Sequence, residues 1–385
     1  MGVMRSVVCR TFLALSVSLL LLAPPPQPAS AADNSYLVYI GTYTRETSKG
    51  VYAFRFDTDA GKLTPLGLVA EIENPSFLAA HPNQRYLYAV SETNEGTVAA
   101  YAIDRQSGKL RALNTVSAKG GGPCHVNLDS TGGSLAIANY GTGSVAMYPV
   151  AADGRLGEAS AFDQHEGSSV NPQRQKGPHA HSVDFSPDNR FLMSSDLGLD
   201  KVLIYRFDPK KSSIMANDPA FVSVKPGSGP RHFAFHPSAR FAYVINEITS
   251  TVTALSYDAA RGALSELQTL STLPAGVSER NSTAEVEMHP SGKFLYGSNR
   301  GHNSIAVFAV DQQKGTLTLI ENASTQGGPP RNFAIDPSGQ YLFAGNQQTD
   351  SIVLFRIDAQ TGRLTPTGEK AVLDAPVCIR FVAGG

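Results

Sequence analysis

The sequence predicts an all-β fold, a β-propeller of seven blades. A block of about 50 residues recurs along the chain, and each copy contains short runs of Val, Tyr, Phe and Leu separated by tight turns. Gly (35) and Pro (24) are frequent among the 385 residues, as expected for short strands joined by turns. Long amphipathic helices are not evident, so the repeat is one of strands.

The spacing of the strands sets the number of blades. Predicted second strands begin at Tyr36, Tyr86, Ser134, Phe191, Phe241, Phe294 and Tyr341. Successive starts are 50, 48, 57, 50, 53 and 47 residues apart. Predicted first strands lie near Phe77, Val126, Val183, Phe233, Val286, Phe333 and Ile379. Both counts give seven units, and such sheets bury their faces only by stacking on neighbours.

The fifth repeat shows all four strands of a blade, over residues 231–236, 241–246, 251–258 and 262–267. The two ends of the chain predict how the ring closes. Tyr36 has no first strand before it, whereas residues 377–382 form a first strand with nothing after it. The C-terminal strand is therefore expected to complete the N-terminal blade, which hides both edges. The absence of Trp argues against a WD40-type propeller.

Residues 1–32 are predicted to be a cleaved signal peptide, and residues 33–385 a single propeller domain. Arg5 and Arg10 precede an apolar run, and small residues follow that suit cleavage near Ala31 or Ala32. An uncleaved anchor is the alternative. Cleavage predicts a periplasmic or secreted protein.

Charge and cysteine content limit the partners and cofactors. Lys plus Arg (32) nearly balances Asp plus Glu (33), so the chain has no large net charge that would attract it to nucleic acid. For the same reason we expect no membrane association after cleavage of the signal peptide. Cys124 and Cys378 are expected to be unpaired thiols. The chain lacks a His-Glu-x-x-His motif, and we expect no metal and no cofactor. The expected partner is a small molecule.

Polar residues recur where the first two strands of each blade begin and end. Arg231 and Glu247 are equally distant from the turn between these strands, which predicts that they lie side by side at one mouth of the channel. The corresponding positions of other blades hold His181, Arg300, Arg331, Gln347, Cys124, Tyr140, Ser76 and Glu92. A plain cross-strand ion pair is the alternative for Arg231 and Glu247.

Two recurring sets are expected to be structural. His81, His236 and His289 precede Pro in turns far from this mouth, which is typical of a turn residue. Another set recurs once per blade: Asn139, Asp196, Asn246, Asn299 and Asn346. We expect these side chains to bond the backbone of the following loop. A metal ring is the alternative, although oxygen sites of that kind usually contain several carboxylates.

Several motifs resemble those of the seven-bladed lactonase family, which contains bacterial propeller-type 6-phosphogluconolactonases and fungal carboxymuconate-lactonizing enzymes. They are Gly41-Thr-Tyr-Thr44 with Ser48-Lys-Gly50, residues 164–175, Gly177-Pro-His-Ala-His181, Gly229-Pro-Arg-His232, and Ser298-Asn-Arg-Gly-His-Asn-Ser-Ile305. The resemblance covers residues 35–382. It implies catalytic roles for His181, Arg231, Glu247 and Arg300, and substrate-binding roles for His125, His232 and Arg331.

The set implied by the resemblance suits metal-independent opening of a sugar lactone. Arg231 and Arg300 would stabilise an oxyanion or hold a substrate anion. Glu247 or His181 could take a proton from water, and the other could then protonate the leaving alkoxide, so both assignments are open. Glu247 beside Arg231 should have a lowered pKa, which favours it as the base and His181 as the acid. The 6-phosphogluconolactone substrate is made in the cytoplasm, so an exported protein would serve an unphosphorylated sugar lactone or another lactone. The alternatives are a carboxymuconate-type cycloisomerase and a non-catalytic propeller that binds a ligand or protein.

Overall fold

The computed structural model describes residues 1–4, 35–277 and 280–384. The chain divides into two units, Met1–Ala32 and Asp33–Gly385. The predicted signal peptide and its cleavage site lie, apart from residues 1–4, outside the described residues. Over the described part of the chain, we find no helix with the length and apolar character needed to cross a membrane.

The described part of the second unit consists of seven four-stranded antiparallel sheets. The first blade contains β1 (Ser35–Thr42), β2 (Gly50–Asp57) and β3 (Lys62–Glu71). The second contains β4 (Leu78–Ala80), β5 (Tyr86–Ser91), β6 (Thr97–Ile103) and β7 (Leu110–Ser117). The third contains β8 (Pro123–Leu128), β9 (Ser134–Asn139), β10 (Ser144–Pro149) and β11 (Ala161–Gln164). The fourth contains β12 (Ala180–Phe185), β13 (Phe191–Asp196), β14 (Lys201–Asp208) and β15 (Ser213–Ser223).

The remaining blades follow the same order. The fifth contains β16 (Pro230–Phe235), β17 (Phe241–Asn246), β18 (Thr251–Asp258) and β19 (Ala263–Ser271). The sixth contains β20 (Ser282–Met288), β21 (Phe294–Arg300), β22 (Ser304–Val310) and β23 (Leu317–Ser324). The seventh contains β24 (Pro330–Ile335), β25 (Tyr341–Asn346), β26 (Ser351–Ile357) and β27 (Leu364–Val372). The last strand is β28 (Pro376–Ala383).

The C-terminal strand closes the ring as predicted. β28 pairs with β1 in an antiparallel ladder that runs from Tyr36 opposite Ala383 to Ile40 opposite Ile379. The seven-bladed all-β prediction is therefore confirmed. Six of the seven second strands begin at the predicted residue. The remaining one, β1, begins at Ser35, one residue before the predicted start.

Burial explains why these strands form. All six residues of the second strand β17 are buried, whereas the outer strand β19 is largely exposed. Both faces of an inner strand pack on neighbouring blades, so its sequence is continuously apolar. Tyrosines of second strands also bond a glycine carbonyl of the next blade, at 2.8–3.0 Å: Tyr39 to Gly108, Tyr88 to Gly154, Tyr243 to Gly315, and Tyr296 to Gly362.

The turn histidines join adjacent blades, which confirms their structural role. Their Nε2 atoms lie 3.1, 2.9 and 2.8 Å from glycine carbonyls in the next blade: His81 from Gly132, His236 from Gly292, and His289 from Gly339. Gly292 has a φ of +71°, and a Cβ there would lie 2.7 Å from His236 Nε2. Glycine is therefore required where the histidine approaches.

The recurring Asn and Asp residues are structural, but their partners differ from the prediction. Asp196 accepts bonds from backbone N–H groups of the following loop, including Gly198 at 2.9 Å. Asn139, Asn299 and Asn346 instead donate to carbonyls that precede them in the chain, those of Ala118, Thr272 and Thr325. Asn246 donates to hydroxyls of Thr251 and Thr253. For Asn139, Asn299 and Asn346 the prediction failed because the closed ring brings the loop after the previous blade's outer strand beside the asparagine.

Each innermost strand contacts the next one around the ring, in the order β28, β4, β8, β12, β16, β20 and β24. Side chains of these strands line the channel. Cys124 and Cys378 lie on two of these strands and are both buried and unpaired, as predicted. The candidate site lies where these strands begin.

Candidate active site

A β-bulge places Arg231 at the mouth of the channel. In the β16–β17 ladder Pro230 pairs with Asn246 and His232 with Ile245, so Arg231 is an extra residue. The Glu247 N–H donates to the carbonyl of Gly229 at 2.7 Å. Arg231 is therefore not directly opposite Glu247, and that detail of the predicted register is wrong. Because a bulge re-aims the extra side chain, the Arg231 Nε still lies 3.0 Å from Glu247 Oε2.

The same irregularity recurs in other blades. The extra residue of the inner strand is Cys124 in β8, His181 in β12 and Arg331 in β24. In each of these ladders the inner strand has one unpaired residue between two consecutive pairs, close to the end of the second strand. The bulge lets two successive residues, such as Arg231 and His232, both reach the channel. Alternation along a regular strand would send one of them into the blade.

Glu247 is the centre of the mouth site, which we define as His181, Arg231, Glu247 and Arg300. Its Oε2 lies 3.0 Å from Arg231 Nε and 2.8 Å from Arg300 Nη2. Its Oε1 lies 2.6 Å from Arg174 Nη2. Burial by itself would raise the pKa of Glu247, but the guanidiniums of Arg300 and Arg231 hold it well below its usual value. This direction agrees with the predicted lowering, and Glu247 is ionised at neutral pH.

His181 is buried next to this cluster. Its ring lies 5.3 Å from that of His232 and 5.2 Å from that of Tyr140, centroid to centroid, and its Nδ1 lies 3.6 Å from Cys124 Sγ. Burial, followed by the charge of Arg231, holds the pKa of His181 well below 6.5. The imidazole is neutral at neutral pH, so it is better suited to accept a proton than to supply one. The neutral imidazole favours His181 as the base, whereas the sequence favoured it as the acid.

His232 is held in one tautomer by its neighbours. Arg231 Nη1 lies 3.0 Å from His232 Nε2, and a guanidinium can only donate, so Nε2 accepts. Nδ1 therefore carries the proton and donates to Glu285 Oε1 at 2.7 Å. Burial and Arg231 also hold the pKa of His232 well below its usual value. His232 thus links the mouth site to Glu285, deeper in the channel.

His125 and His232 line a cavity of about 440 Å³ inside the channel, together with Asp184, Glu285 and Arg380. The four mouth-site residues do not line this cavity. The Val183 N–H donates to His125 Nδ1 at 3.3 Å, so His125 acts as a structural acceptor. His125 therefore lies below the mouth site, whereas His232 lies between this cavity and Arg231 of the mouth site. Within the described ranges, no group of three or more His, Cys, Asp or Glu is arranged to hold a metal ion.

Arg331, the third predicted substrate-binding residue, lies at the mouth. Its guanidinium stands 5.2 Å from the centre of the Tyr43 ring. The Tyr43 hydroxyl in turn donates to Glu92 Oε2 at 2.9 Å. Glu92 was among the residues that hairpin geometry placed here.

Arg174 is added to the mouth site because it binds Glu247, although sequence reasoning missed it. It lies between β11 and β12, and its Nη2 contacts both Glu247 and the Tyr140 hydroxyl, the latter at 3.1 Å. Hairpin symmetry could not find it, because it lies on a long connection outside the hairpins. The signal was its position within the motif at residues 164–175.

Comparison with known proteins identifies the family of this chain. The family described as Lactonase, 7-bladed beta-propeller, matches residues 37–381. A Bacillus subtilis 6-phosphogluconolactonase is 38% identical over 302 residues, covering 78% of this chain and 85% of its own. A Formosa agariphila 6-phosphogluconolactonase is 36% identical over 308 residues, covering 78% and 86%. A solved structure of a Pseudomonas aeruginosa periplasmic gluconolactonase is 37% identical, with a TM-score of 0.87, covering 91% of this chain and 100% of that one. The chain belongs to the seven-bladed β-propeller lactonase family.

Proposed function

We propose that this protein hydrolyses sugar lactones by acid/base catalysis with its own side chains. The observation that carries the proposal is the mouth site, where a neutral imidazole adjoins an ionised carboxylate bound by three guanidiniums. Such a set supplies a proton acceptor and preorganised positive charge in one buried pocket. The similarity to lactonases supports the same reaction.

His181 is the proposed proton acceptor. A neutral His181 takes a proton from a water molecule as the water oxygen forms a bond to the lactone carbonyl carbon. The tetrahedral intermediate then collapses, the ring C–O bond breaks, and the leaving alkoxide receives the proton from the His181 imidazolium. The product is an open-chain hydroxy acid, and His181 returns to its neutral form.

Arg231 and Arg300 are the proposed oxyanion stabilisers. Both are ion-paired to Glu247, which fixes their orientation before substrate arrives. Preorganised donors stabilise charge that develops in the transition state without further reorganisation. Glu247 is then a positioning residue, because a carboxylate bound by three guanidiniums is a poor base.

The charge of the mouth favours an anionic substrate. The guanidiniums of Arg174, Arg231, Arg300 and Arg331 outnumber the carboxylates of Glu247 and Glu92, although the whole chain has a formal net charge of −1. A local positive field of this kind raises the local concentration of anions. The predicted signal peptide at residues 1–32 supports a periplasmic or secreted location and hence a lactone available outside the cytoplasm.

A lactone panel tests the function. The purified protein is incubated with gluconolactone, its 6-phosphate and glucaro-1,4-lactone, each with and without a chelator, and acid release is followed against buffer. We expect rates above buffer that the chelator leaves unchanged. No rate with any lactone would sink the proposal. A loss of carboxymuconate absorbance in a parallel assay would favour the cycloisomerase instead.

A further inference from the structure

A bulge in β20 presents two hydrogen-bond acceptors to the neighbouring inner strand β16. The register of the β20–β21 ladder shifts at Ala284 and Glu285, which stand outside its regular pairs. The Ala284 carbonyl accepts a hydrogen bond from Arg231 Nη1 at 2.8 Å, and the Glu285 carboxylate accepts one from His232 Nδ1 at 2.7 Å. Two successive residues of the sixth blade therefore hold two successive residues of the fifth.

The hydrogen bonds of Arg231 involve only two of the three nitrogens of its guanidinium. Nε has one N–H group, which donates to Glu247 at 3.0 Å. Nη1 has two, which donate to the Ala284 carbonyl at 2.8 Å and to His232 Nε2 at 3.0 Å. None of the described residues accepts a hydrogen bond from Nη2. The two N–H groups of Nη2 are therefore the donors that Arg231 can offer to a substrate.

The hydrogen bonds between Arg231 and the seventh blade allow one assignment of their protons. The Ile379 backbone N–H donates to Asn332 Oδ1 at 2.8 Å, so the Asn332 amide nitrogen is the atom that donates to Glu285 Oε2. At the other end Arg231 can only donate, so His232 accepts through Nε2 and donates through Nδ1. Two series of donors thus meet at Glu285, and an ionised carboxylate accepts from both.

The contacts of Glu285 favour this ionised form. Its Oε1 also accepts the Val286 N–H at 3.0 Å, so three donors contact the buried carboxylate. Burial raises the pKa of Glu285, and the charges of Arg380 and Arg231 oppose that rise. None of the three contacts offers an acceptor for a carboxyl proton, and hydrogen bonds to the charged form of an acid favour that form.

We propose that Glu285 is a positioning residue for the reaction: it holds His232 as the Nδ1–H tautomer, so that Nε2 fixes Arg231 and leaves Arg231 Nη2 to stabilise the oxyanion. The inference rests on the proposed lactonase function and names a residue that supports one of its oxyanion stabilisers. With the proton on Nε2 instead, an imidazole N–H would face a guanidinium N–H, and Arg231 would lose its place. Glu285 acts through His232 and not on the substrate itself.

Glu285→Met tests the kinetic effect, because it keeps an unbranched side chain and removes the acceptor. We expect kcat on gluconolactone to fall about 10- to 100-fold, the loss typical of a hydrogen bond to a charged group. KM should change less, since charge on the oxyanion develops in the transition state. Wild-type kcat in Glu285→Met would overturn the inference.

A double variant restores the network without restoring Glu285. In Glu285→Gln the new amide oxygen can accept from His232, but the new amide nitrogen faces that of Asn332. Adding Asn332→Asp places a carboxylate that accepts from this nitrogen and from the Ile379 N–H, with the net charge of the wild type. We expect an intermediate kcat for Glu285→Gln and a value close to wild type for the double variant. A double variant no faster than Glu285→Gln would contradict the proposed network.

Glu287→Met is the matched control. Glu287 lies two residues further along β20 and lines the same cavity, but its carboxylate accepts the Ile335 backbone N–H, at 2.8 Å. We expect kcat to stay at the wild-type value. A loss equal to that of Glu285→Met would show that any carboxylate of the channel has this effect, and would overturn the specific role of Glu285.

A spectroscopic measurement separates this inference from the proposed function. Nitrogen-15 NMR of protein labelled in its imidazole rings reports which nitrogen of His232 carries the proton, with no substrate present, and His232→Gln identifies the signals. The wild type and the double variant should show Nδ1 protonated and Nε2 unprotonated. Glu285→Met should lose this single state, because the Nδ1–H group no longer has its acceptor.

The spectra decide the role of Glu285 whatever the kinetics show. A proton on Nε2 in the wild type, or an unchanged ring state in Glu285→Met, would overturn the inference even when lactones are hydrolysed. If no lactone is hydrolysed, the proposed function fails, while the spectra still decide whether Glu285 holds His232 in one tautomer.

Discussion

Arg231 Nε lies 3.0 Å from Glu247 Oε2, although Arg231 is the extra residue of a β-bulge and stands outside the regular ladder. The pair forms because the bulge turns the Arg231 side chain toward the mouth, where Arg300 and Arg174 approach the same carboxylate. Glu247 therefore binds guanidiniums contributed by strands of two blades and by the connection between β11 and β12.

His181→Ala should remove the proton acceptor. We expect kcat to fall about 100- to 10,000-fold, the usual contribution of a positioned general base, with a smaller change in KM. Steady-state kinetics on the best lactone of the panel measures this. His289→Ala is the control, since that histidine is also buried but lies in a turn. A His181→Ala enzyme with wild-type kcat would show that the base is another group.

The pH dependence of the rate should follow the neutral form of His181. Burial and Arg231 hold the pKa of His181 well below 6.5, so nearly all of the protein has the neutral, active form of this imidazole at neutral pH. We expect kcat/KM to stay level from about pH 8 to about pH 6.5 and to fall only at more acid pH. A rate that instead rises as the pH drops from 7 to 6 would assign His181 to the acid role.

Glu247→Gln keeps the size of the side chain but leaves three guanidiniums without their counterion. Breaking a buried ion pair by removing one partner costs about 3–5 kcal/mol, so we expect a clear loss of stability in urea unfolding. We also expect kcat/KM to fall by about 100-fold as Arg231 and Arg300 lose their orientation. The control is Glu321→Gln, whose ion pair with Arg363 is partly exposed and should cost less than about 1 kcal/mol. Similar losses in both variants would contradict the central role of Glu247.

His236→Ala should separate stability from activity. It removes the hydrogen bond from His236 Nε2 to the Gly292 carbonyl, which joins two blades far from the mouth. We expect the free energy of unfolding to fall by about 1–3 kcal/mol, because the buried carbonyl loses its donor. The value of kcat should not change. A loss of kcat as large as that of His181→Ala would refute a purely structural role.

Glu287, at the far end of the channel cavity, should make the protein less stable as the pH rises. Burial, followed by the charge of Glu285, raises the pKa of Glu287 from 4.5 to about 8. The folded protein thus keeps a proton that the unfolded chain releases, and stability falls between these pH values by up to about 1.4 kcal/mol per pH unit. Histidines with lowered pKa values, such as His181 and His232, oppose this slope near pH 7 because the unfolded chain binds protons there, so the contribution of Glu287 is the difference between the wild type and Glu287→Gln.

Glu287→Gln should remove this negative contribution, so the stability of the variant should fall less, or rise more, with pH than that of the wild type. Urea unfolding at pH 7, 7.5 and 8 measures the slope for the wild type and the variant. Glu321→Gln again serves as control, because Glu321 lies at the surface ion pair with Arg363. An unchanged slope in Glu287→Gln would show that Glu287 is ionised in the folded protein.

Much of the architecture could be predicted because a propeller repeats local patterns. Second strands such as β17 and β25 begin at the predicted residues, since their apolar runs and flanking turns are readable in each copy. The C-terminal strand could be assigned to the first blade because the first repeat lacks an inner strand, and the last inner strand has no repeat after it. The same periodicity brought Arg231, Glu247 and Arg300 to one mouth.

Other features could not be predicted, because they depend on contacts between blades. Arg174 lies on a connection that does not recur in the other blades. Its position next to Glu247 depends on the contacts of this connection with Asp196 and Leu197. The proposed assignment of His181 as the base, with Glu247 as a positioning residue, has the same origin. The protonation of each depends on how many guanidiniums and how much apolar surface surround it, which a linear sequence does not specify.

The sequence by itself determined the number of blades, their strands, the closure of the ring and the residue types at its mouth, since these follow from periodicity and local propensity. Only the tertiary structure decided which side chains the bulges turn inward, which guanidiniums share Glu247, and which acids of the channel keep their protons. The physical reason is that register shifts and electrostatic fields arise from groups far apart in the chain that the closed ring brings within a few ångströms.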